Sequence, residues 1–253
     1  MSGVDDPSLT EFYDAGYRQP DPATAERLGR WRALGAQSKA AHVVELCRRA
    51  GVAPRSLVEV GCGDGALLAE LARRDLAERY DGFELSAPAA EIAAGRAIPG
   101  AGRIEAYDGA RVPAADGAYD LGVLSHVLEH VPEPAALLAE TARVARHVLV
   151  EVPLERNRSG TRPQKVAESR AIGHIQAFDR DAVVALATAA GLRVLADLSD
   201  PLPRAHHAFF AQGGAERARA AAKWAVRAGL WRVAPRRAET LFTVHYACLL
   251  GRT

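Results

Sequence analysis

The chain has 253 residues, 49% of them hydrophobic, and a net charge of +1, so it can fill the core of one large domain but cannot attract nucleic acid by charge alone. Its three cysteines, Cys47, Cys62 and Cys248, are few and widely spaced, which argues against a disulfide framework and favours a reducing compartment. The first residues do not resemble a signal peptide, and no apolar run reaches membrane-spanning length, so we expect a cytoplasmic protein.

Hydrophobic patterns predict helices that alternate with strands along most of the chain. Helices are predicted at 22–34, 37–50, 65–74, a stretch ending near 97, 134–144, 180–190 and 213–231. Strands are predicted at 56–61, 80–84, 102–107, 119–124, 147–153, 192–198 and 240–249. The stretch 154–172 is predicted to be a charged loop. This alternation predicts an α/β fold with a doubly wound, mostly parallel seven-stranded sheet, whose ligands bind beyond the carboxyl ends of the strands.

The first predicted strand ends in a glycine-rich turn. Glu59 precedes Gly61, Gly63 and Gly65, and an amphipathic helix pattern follows. Glycine lets the backbone come close to a ligand, and the free N–H groups of a helix start bind a phosphate or the carboxylate of a small zwitterion. The turn fits the dinucleotide pattern G-x-G-x-x-G/A, with Glu84 as a ribose-binding acid about 20 residues later.

The same turn also resembles a second kind of site. Its order, hydrophobic-acid-hydrophobic-Gly-x-Gly-x-Gly, is similar to the first motif of the class I S-adenosylmethionine-dependent methyltransferases. In that family the acid before the first glycine, here Glu59, lies near the amino acid part of the cofactor. A dinucleotide site does not need this acid, because its charge would repel pyrophosphate. Glu59 therefore favours S-adenosylmethionine over NAD, although the turn alone leaves both open.

A second segment, from Asp116 to Pro134, resembles the family more specifically. It reads Asp-Gly-Ala-Tyr-Asp-Leu-Gly-Val-Leu-Ser-His-Val-Leu-Glu-His-Val-Pro-Glu-Pro. This is similar to F-D-x-V-x-x-x-x-V-L-E-H-V-x-x-P, a pattern of the small-molecule branch that includes the ubiquinone and menaquinone biosynthesis methyltransferases. With the glycine turn, the resemblance covers about residues 40–200. It implies a Rossmann-like methyltransferase fold, S-adenosyl-L-methionine as cofactor and a small-molecule acceptor.

The resemblance implies cofactor contacts at the carboxyl ends of the strands. It implies that Glu84 binds the ribose hydroxyls and that Asp108 contacts the adenine amino group. The alternatives are a helix-capping role for Glu84 and a plain Asp-Gly turn at Asp108. The predicted cofactor-binding residues are Glu59, Gly61, Gly63, Gly65, Glu84, Leu85, Asp108, Gly109, Ser125 and His126.

One motif inside the second segment suggests a metal. His126, Glu129 and His130 match H-x-x-E-H, a zinc-peptidase pattern read in reverse, and two histidines four residues apart can share a metal on one helical face. However, a strand ends just before the motif and Pro132 and Pro134 follow it, so the helix is too short. We therefore expect no metal. His126 is predicted to face the methyl group as a catalytic residue, while Glu129 and His130 hold the turn.

Acceptor contacts are predicted in two later segments. Gly173–Arg180 resembles the family's G-H-x-x-x-F-[ST] stretch, with Asp179 as the helix cap. His174 would overhang the pocket and take the proton from an acceptor hydroxyl as a catalytic, substrate-binding base, or else it orders the loop. Arg156 and Arg158 are candidates for binding an acidic group of the substrate, or they belong to a solvated loop.

Together these features predict an S-adenosylmethionine-dependent methyltransferase that transfers a methyl group to an oxygen, carbon or nitrogen atom of a small metabolite, as a monomer or homodimer. Residues 1–52 are predicted to form an N-terminal helical lid, with Phe12, Tyr13 and Tyr17 as candidate lid residues. The S-adenosylmethionine-binding domain is predicted at 53–253, with a helical insert at about 200–239. Three alternatives remain: a protein or RNA methyltransferase, a non-catalytic S-adenosylmethionine-binding regulatory protein and an NAD-dependent oxidoreductase.

Overall fold

The computed structural model describes residues 7–19 and 21–253, so the start of the predicted lid, residues 1–6, lies outside the described residues. Two helices precede the first strand: α1 (Pro7–Tyr17) and α2 (Pro22–Ala50). The break predicted between 34 and 37 is wrong, because α2 is one continuous helix. The interior Gly35 costs only about 1 kcal/mol relative to alanine, which packing of the long helix offsets.

Seven strands form one sheet, and helices cover both of its faces. The strands are β1 (Ser56–Val60), β2 (Arg79–Glu84), β3 (Ala101–Ala106), β4 (Tyr119–Ser125), β5 (Ala145–Pro153), β6 (Leu192–Asp200) and β7 (His245–Arg252). The remaining helices are α3 (Ala66–Arg73), α4 (Ala87–Ala94), α5 (Pro134–Val144), α6 (Pro163–Ala171), α7 (Arg180–Ala189), α8 (Arg204–Ala208), α9 (Gly213–Val233) and α10 (Pro235–Leu241). A short 3-10 turn, Leu128–His130, follows β4.

The sheet has the strand order β3-β2-β1-β4-β5-β7-β6. The neighbouring strands are parallel except that β7 runs antiparallel to β5 and β6. This confirms the predicted α/β fold with its mostly parallel seven-stranded sheet. The strand order reverses between β1 and β4, and a crevice forms at the carboxyl ends of strands at such a switch point.

Two predictions about the secondary structure are wrong. The stretch predicted as loop contains α6, which has no buried residue and so lacks the apolar face that would have indicated a helix. The last strand does not begin at 240, because α10 runs to Leu241 and β7 starts at His245. The insert before β7 holds α8 and α10 as well as the predicted helix, now α9.

Two buried clusters, one on each face, fix the sheet between its helices. On one face, Val43 and Leu46 of α2 pack with Leu68 of α3. On the other, Leu138 of α5 packs with Val183 of α7. No helix within residues 7–19 and 21–253 is long and apolar enough to cross a membrane. The clusters hold the strand ends, and the side chains that follow them, in fixed positions.

A buried ion-pair network ties α2 to the sheet. His42 Nε2 lies 2.9 Å from Asp200 Oδ2, and His42 Nδ1 lies 3.3 Å from Glu151 Oε2. Burial alone lowers the pKa of His42, but the carboxylates of Asp200 and Glu151 outweigh it and raise this pKa to about 9. The protonated imidazole therefore joins the helix to β5 and β6.

We expect His42→Gln to destabilise the fold more at about pH 6 than at about pH 10. Because the folded-state pKa is raised from 6.5 to about 9, this stabilisation is complete below pH 6.5 and is lost as the pH rises through 9. This shift in pKa corresponds to a contribution of about 3 kcal/mol to the free energy of unfolding. Denaturant unfolding of both proteins at both pH values measures it, with His147→Gln as the control. An equal loss of stability at the two pH values would contradict the ion pair.

Candidate active site

The glycine turn after β1 adopts a backbone that favours glycine at three positions. Gly61, Gly63 and Gly65 have φ of 78°, 54° and 74°. A Cβ on Gly61 would lie 2.6 Å from Val127 Cγ2, and one on Gly63 would lie 2.7 Å from the hydroxyl of Tyr17. On Gly65 it would press against α4 instead. The first two glycines therefore open the turn to a ligand, while the third lets two helices pack.

Two cavities adjoin at this turn. The first, of about 310 Å³, lies beneath α1 and is bounded by the ends of β2 and β3 and by the segment after β4. The second, of about 450 Å³, lies between α2, the ends of β1, β4 and β5, and the insert. Tyr17, Gly61, Gly63 and His126 line both. Together they can enclose one elongated ligand and leave room for another beside it.

Glu84 fastens the turn to the end of β2. Its Oε2 accepts a 2.7 Å hydrogen bond from Gly63 N, and its Oε1 accepts one of 3.0 Å from Ser86 N. Burial raises the pKa of Glu84, and these backbone N–H groups oppose the rise. The carboxylate lines the first cavity, and each oxygen keeps a lone pair for a hydroxyl donor. Glu84 therefore fixes the turn after β1, while Ser86 is the residue that caps α4. Glu84 also has the acceptor atoms that a ribose requires.

Two buried polar side chains at the second cavity lack partners. Among the described residues, Glu59 Oε2 and Ser125 Oγ have no hydrogen-bond partner. Glu59 is 3% exposed, and burial raises its pKa well above the ordinary value. Unpaired buried polar groups are costly and rare, so this pair indicates a polar ligand, and a cationic group would stabilise the carboxylate of Glu59.

His126 follows β4 in a strained backbone conformation. Its φ is 59°, which is uncommon for a residue other than glycine and is found at functional sites. Its Nδ1 lies 3.1 Å from Glu129 Oε1, and its Nε2 lies 3.0 Å from His245 Nδ1. Burial and Lys39 lower its pKa, but Glu129 and Glu151 outweigh them and raise it. A raised pKa favours the protonated imidazole, which cannot accept a proton, so the catalytic role of His126 stays a prediction.

His174 is oriented by a carboxylate that the sequence analysis missed. Its Nδ1 lies 2.8 Å from Glu155 Oε2, and Ser169 Oγ donates a 2.7 Å hydrogen bond to Glu155 Oε1. The His174 ring stands edge-on to His130, with 4.8 Å between the ring centroids. No motif contains Glu155, and its only signal is its position just after β5. The structure thus gives His174 a fixed ring and a free Nε2.

Only some of the residues predicted near the adenine line the first cavity. Leu85 and Gly109 line the first cavity. Asp108 does not, because its Oδ1 accepts hydrogen bonds of 2.8 Å from both Ala110 N and Arg111 N in an exposed turn. The backbone after β3 therefore reaches the cavity, whereas the Asp108 carboxylate shapes the turn, and its contact with adenine stays a prediction.

The predicted substrate arginines lie apart from the two cavities. Arg156 is 60% exposed and its Nη1 lies 3.6 Å from Asp179 Oδ2. Arg156 and Arg158 line a separate depression next to α7 and α10. Neither arginine lines either of the two cavities, so their role as acceptor contacts stays a prediction.

The apolar wall of the first cavity was not predicted as a site. Tyr107, Val127, Val131 and Leu137 line it, and a sequence offers no way to tell such residues from ordinary core. Leu9, Tyr13 and Tyr17 of α1 complete the wall. Two of the three predicted lid residues, Tyr13 and Tyr17, thus contact the cavity.

The comparisons with known proteins identify a family. Residues 31–197 match a family model described as a methyltransferase domain. An uncharacterized methyltransferase of Mycobacterium sp. (strain JLS) is 36% identical over 141 residues, which are 54% of this chain and 51% of the relative. A ubiquinone biosynthesis O-methyltransferase of Thiobacillus denitrificans (strain ATCC 25259 / T1) is 28% identical over 164 residues, 58% of this chain and 61% of the relative. The chain thus spans about half the length of the first of these relatives.

Solved structures share the fold. The geranyl diphosphate C-methyltransferase of Streptomyces coelicolor A3(2), solved with Mg²⁺, geranyl diphosphate and S-adenosyl-L-homocysteine, matches with a TM-score of 0.61 and 15% identity over 85% of this chain and 77% of that chain. The family match covers well over half of the chain and includes the glycine turn and the segment after β4. The chain therefore belongs to the class I S-adenosylmethionine-dependent methyltransferases.

Proposed function

We propose that this protein transfers a methyl group from S-adenosyl-L-methionine to a small-molecule acceptor. The observation that carries the proposal is the meeting of two cavities at the glycine turn. Glu84 stands in one wall, and the other wall holds Glu59, whose Oε2 has no hydrogen-bond partner among the described residues. A ligand with ribose hydroxyls at one end and an ammonium group at the other fits both carboxylates. NAD has no ammonium group to donate hydrogen bonds to Glu59, and its pyrophosphate would bring negative charge to this acid.

The cofactor would lie across the turn. Glu84 accepts hydrogen bonds from the ribose hydroxyls, and the wall that contains Leu85 and Gly109 contacts the adenine. Glu59 and Ser125 hold the amino acid part, where both have polar atoms without partners. Gly61 and Gly63 provide the close backbone approach, while Gly65 supports the packing of α3 on α4.

The protein's main contribution to the reaction is alignment. When bound, S-adenosylmethionine supplies a methyl group on a positively charged sulfur that leaves as a neutral thioether. The cavity walls orient the acceptor atom in line with the S–CH₃ bond, which can contribute about 7–11 kcal/mol in favourable cases. The bond from the acceptor to the methyl carbon forms as the C–S bond breaks, and the electron pair stays on sulfur. A proton on the acceptor would pass to His174, whose ring is held by Glu155.

Several observations support a small acceptor. The net charge of +1 gives no strong field for nucleic acid, and the first cavity is lined largely by apolar side chains. The relative named a ubiquinone biosynthesis O-methyltransferase and the structure named a geranyl diphosphate C-methyltransferase are in line with this. We further propose a cytoplasmic protein that acts as a monomer or homodimer on an oxygen, carbon or nitrogen atom.

We also propose that α1 is a lid over the cofactor. Ser86 Oγ donates a 2.8 Å hydrogen bond to Asp14 Oδ1, and the guanidinium of Arg32 lies 4.9 Å from the centre of the Tyr17 ring. Tyr17→Ala should therefore speed the dissociation of S-adenosylhomocysteine about tenfold, equivalent to about 1.4 kcal/mol. Stopped-flow measurements test this, with Glu11→Ala, a change at an exposed position of α1, as the control. An unchanged dissociation rate would contradict the proposal that α1 covers the cofactor.

Methyl transfer itself is tested by incubating the protein with methyl-labelled S-adenosylmethionine and separate sets of phenols, amines and allylic diphosphates. We expect label in one small-molecule set and formation of S-adenosylhomocysteine in equal amount. Label in added RNA or protein instead would favour the alternative macromolecular substrate. Tight cofactor binding with no transfer to any set would favour a regulatory cofactor-binding protein.

A further inference from the structure

Three side chains with metal-binding atoms converge beside the two cavities. Glu129, His130 and His174 each offer one ligand atom, and these atoms all lie within 4.8 Å of one another. Glu129 and His130 belong to the 3-10 turn after β4, and His174 follows α6. His130 lines the first cavity and His174 the second. The cluster therefore stands at the boundary between the proposed cofactor and the space for an acceptor.

Both imidazoles are oriented by hydrogen bonds from Nδ1. His130 Nδ1 lies 3.1 Å from the carbonyl oxygen of Gly173, and His174 Nδ1 lies 2.8 Å from Glu155 Oε2. Because these oxygens can only accept, each Nδ1 carries a hydrogen, and Nε2 is the ring atom that can face a ligand. A ring N–H given to a carbonyl or a carboxylate is the usual arrangement of a metal-ligating histidine.

Glu129 provides an independent indication of a ligand. It is 1% exposed, and in the part of the chain that the structure describes neither carboxylate oxygen has a hydrogen-bond partner. His126 Nδ1 lies 3.1 Å from Oε1 without the alignment of a hydrogen bond. The Oε1 of Glu129 thus already faces the His126 imidazole, whereas the buried Oε2 has no partner among the described residues. A buried carboxylate oxygen without a partner is unfavourable, so Oε2 is available to bind a cation beside the two histidine rings.

We propose that Glu129, His130 and His174 bind a divalent first-row transition-metal ion. Two histidines and one carboxylate, with positions left open, are a ligand set of catalytic metal sites. The proposal rests on the proposed function, since the ion would hold a hydroxyl oxygen of the acceptor and lower its pKa, so that the hydroxyl proton leaves to solvent water before the oxygen takes the methyl group. It therefore names the acceptor class, a hydroxyl compound, and gives His174 the role of ligand instead of base.

This assignment also explains the H-x-x-E-H motif. The sequence analysis rejected a metal because the segment is too short to place His126 and His130 on one helical face. In the structure the turn provides Glu129 and His130, and the second histidine is His174, which is distant in sequence. Two residues of the motif, Glu129 and His130, therefore belong to the proposed metal site, and His174 takes the place of His126.

A second cluster of the same residue types carries no such proposal. His126, Glu151 and His245 also offer ligand atoms close together. However, His126 Nε2 lies 3.0 Å from His245 Nδ1, and His245 Nδ1 lies 3.1 Å from Glu151 Oε1. The ring atoms of this cluster are thus used in contacts within it, which leaves no pair of histidine nitrogens open to an ion.

The test is a titration with CoCl₂ of the tag-free protein after treatment with a chelator. Binding is measured by the visible d–d absorption of Co²⁺ and by calorimetry. We expect one saturable equivalent in the wild type and no saturable signal in Glu129→Gln and His174→Asn. His147→Asn, a histidine of β5 outside the cluster, should bind Co²⁺ as the wild type does. Glu155→Gln, which changes a positioning residue, should weaken Co²⁺ binding about 10- to 100-fold.

Two outcomes would overturn the metal site: no saturable Co²⁺ binding by the wild type, or equal binding by the wild type and both ligand variants. The affinity for S-adenosylhomocysteine, measured on the same samples, distinguishes a failure of the metal site from a failure of the proposed function. The variants should keep that affinity, which also shows that they fold. A wild type that binds Co²⁺ but not S-adenosylhomocysteine would support the metal site and contradict the methyltransferase proposal.

Discussion

Gly61→Ala is expected to weaken S-adenosylhomocysteine binding at least about 100-fold, a change of about 2.8 kcal/mol. The added Cβ would lie 2.6 Å from Val127 Cγ2 and 3.1 Å from its Cγ1. Valine is short and has a stiff χ1, so the turn has to move instead. Gly61 N also donates a 2.7 Å hydrogen bond to Phe83 O, and this movement would displace the wall that both cavities share.

Gly51→Ala is the matched control for this substitution. Gly51 has a similar φ of 66° at the end of α2, with nothing within 4 Å of an added Cβ. Both variants bear the cost of a left-handed alanine, about 1–2 kcal/mol, but only the one at the turn changes the cavity. Calorimetric titration of both with S-adenosylhomocysteine measures the difference. Equal affinities would mean that the turn does not contact the cofactor.

Glu84→Gln is expected to lower the same affinity about 10- to 100-fold, since hydrogen bonds to charged groups contribute about 1.5–3 kcal/mol. The carboxylate accepts from Gly63 N and Ser86 N at once. A glutamine amide has only one oxygen, so its NH₂ group would face a backbone N–H or a ribose hydroxyl. The loop would loosen, and an acceptor for the ribose would be lost.

The exposed Glu78→Gln, just before β2, controls for the loss of one negative charge from the same strand region. Calorimetry with S-adenosylhomocysteine and with adenosine separates the two roles of Glu84. If Glu84 binds ribose, both ligands lose affinity in Glu84→Gln. A loss confined to thermal stability, with both affinities unchanged, would leave Glu84 only its role in fixing the turn.

The sheet and the glycine turn could be predicted because short-range physics dictates them. Buried strands read as apolar runs, and glycine is the residue that readily adopts the left-handed backbone of Gly61 and Gly63. The acids before and after the turn, Glu59 and Glu84, follow at positions that βα geometry fixes. The residues predicted to bind the cofactor thus lie in two short segments of the sequence.

The acceptor end could not be predicted in the same way, because contacts between distant segments build it. His130 and His174 meet only when α6 and the turn after β4 pack together, and Glu155 belongs to no motif. Charge alone suggested Arg156, which the fold places in a separate depression. In the sequence, apolar lining residues such as Val131 cannot be distinguished from core residues, and only the structure shows that they line a cavity.

The most direct test of the account is a parallel calorimetric titration of the wild-type protein with S-adenosylmethionine, S-adenosylhomocysteine and NAD. We predict saturable one-to-one binding of the first two and no binding of NAD, because Glu59 favours a cationic amino acid end and repels pyrophosphate. Binding of NAD without binding of either sulfur compound would contradict the central claim.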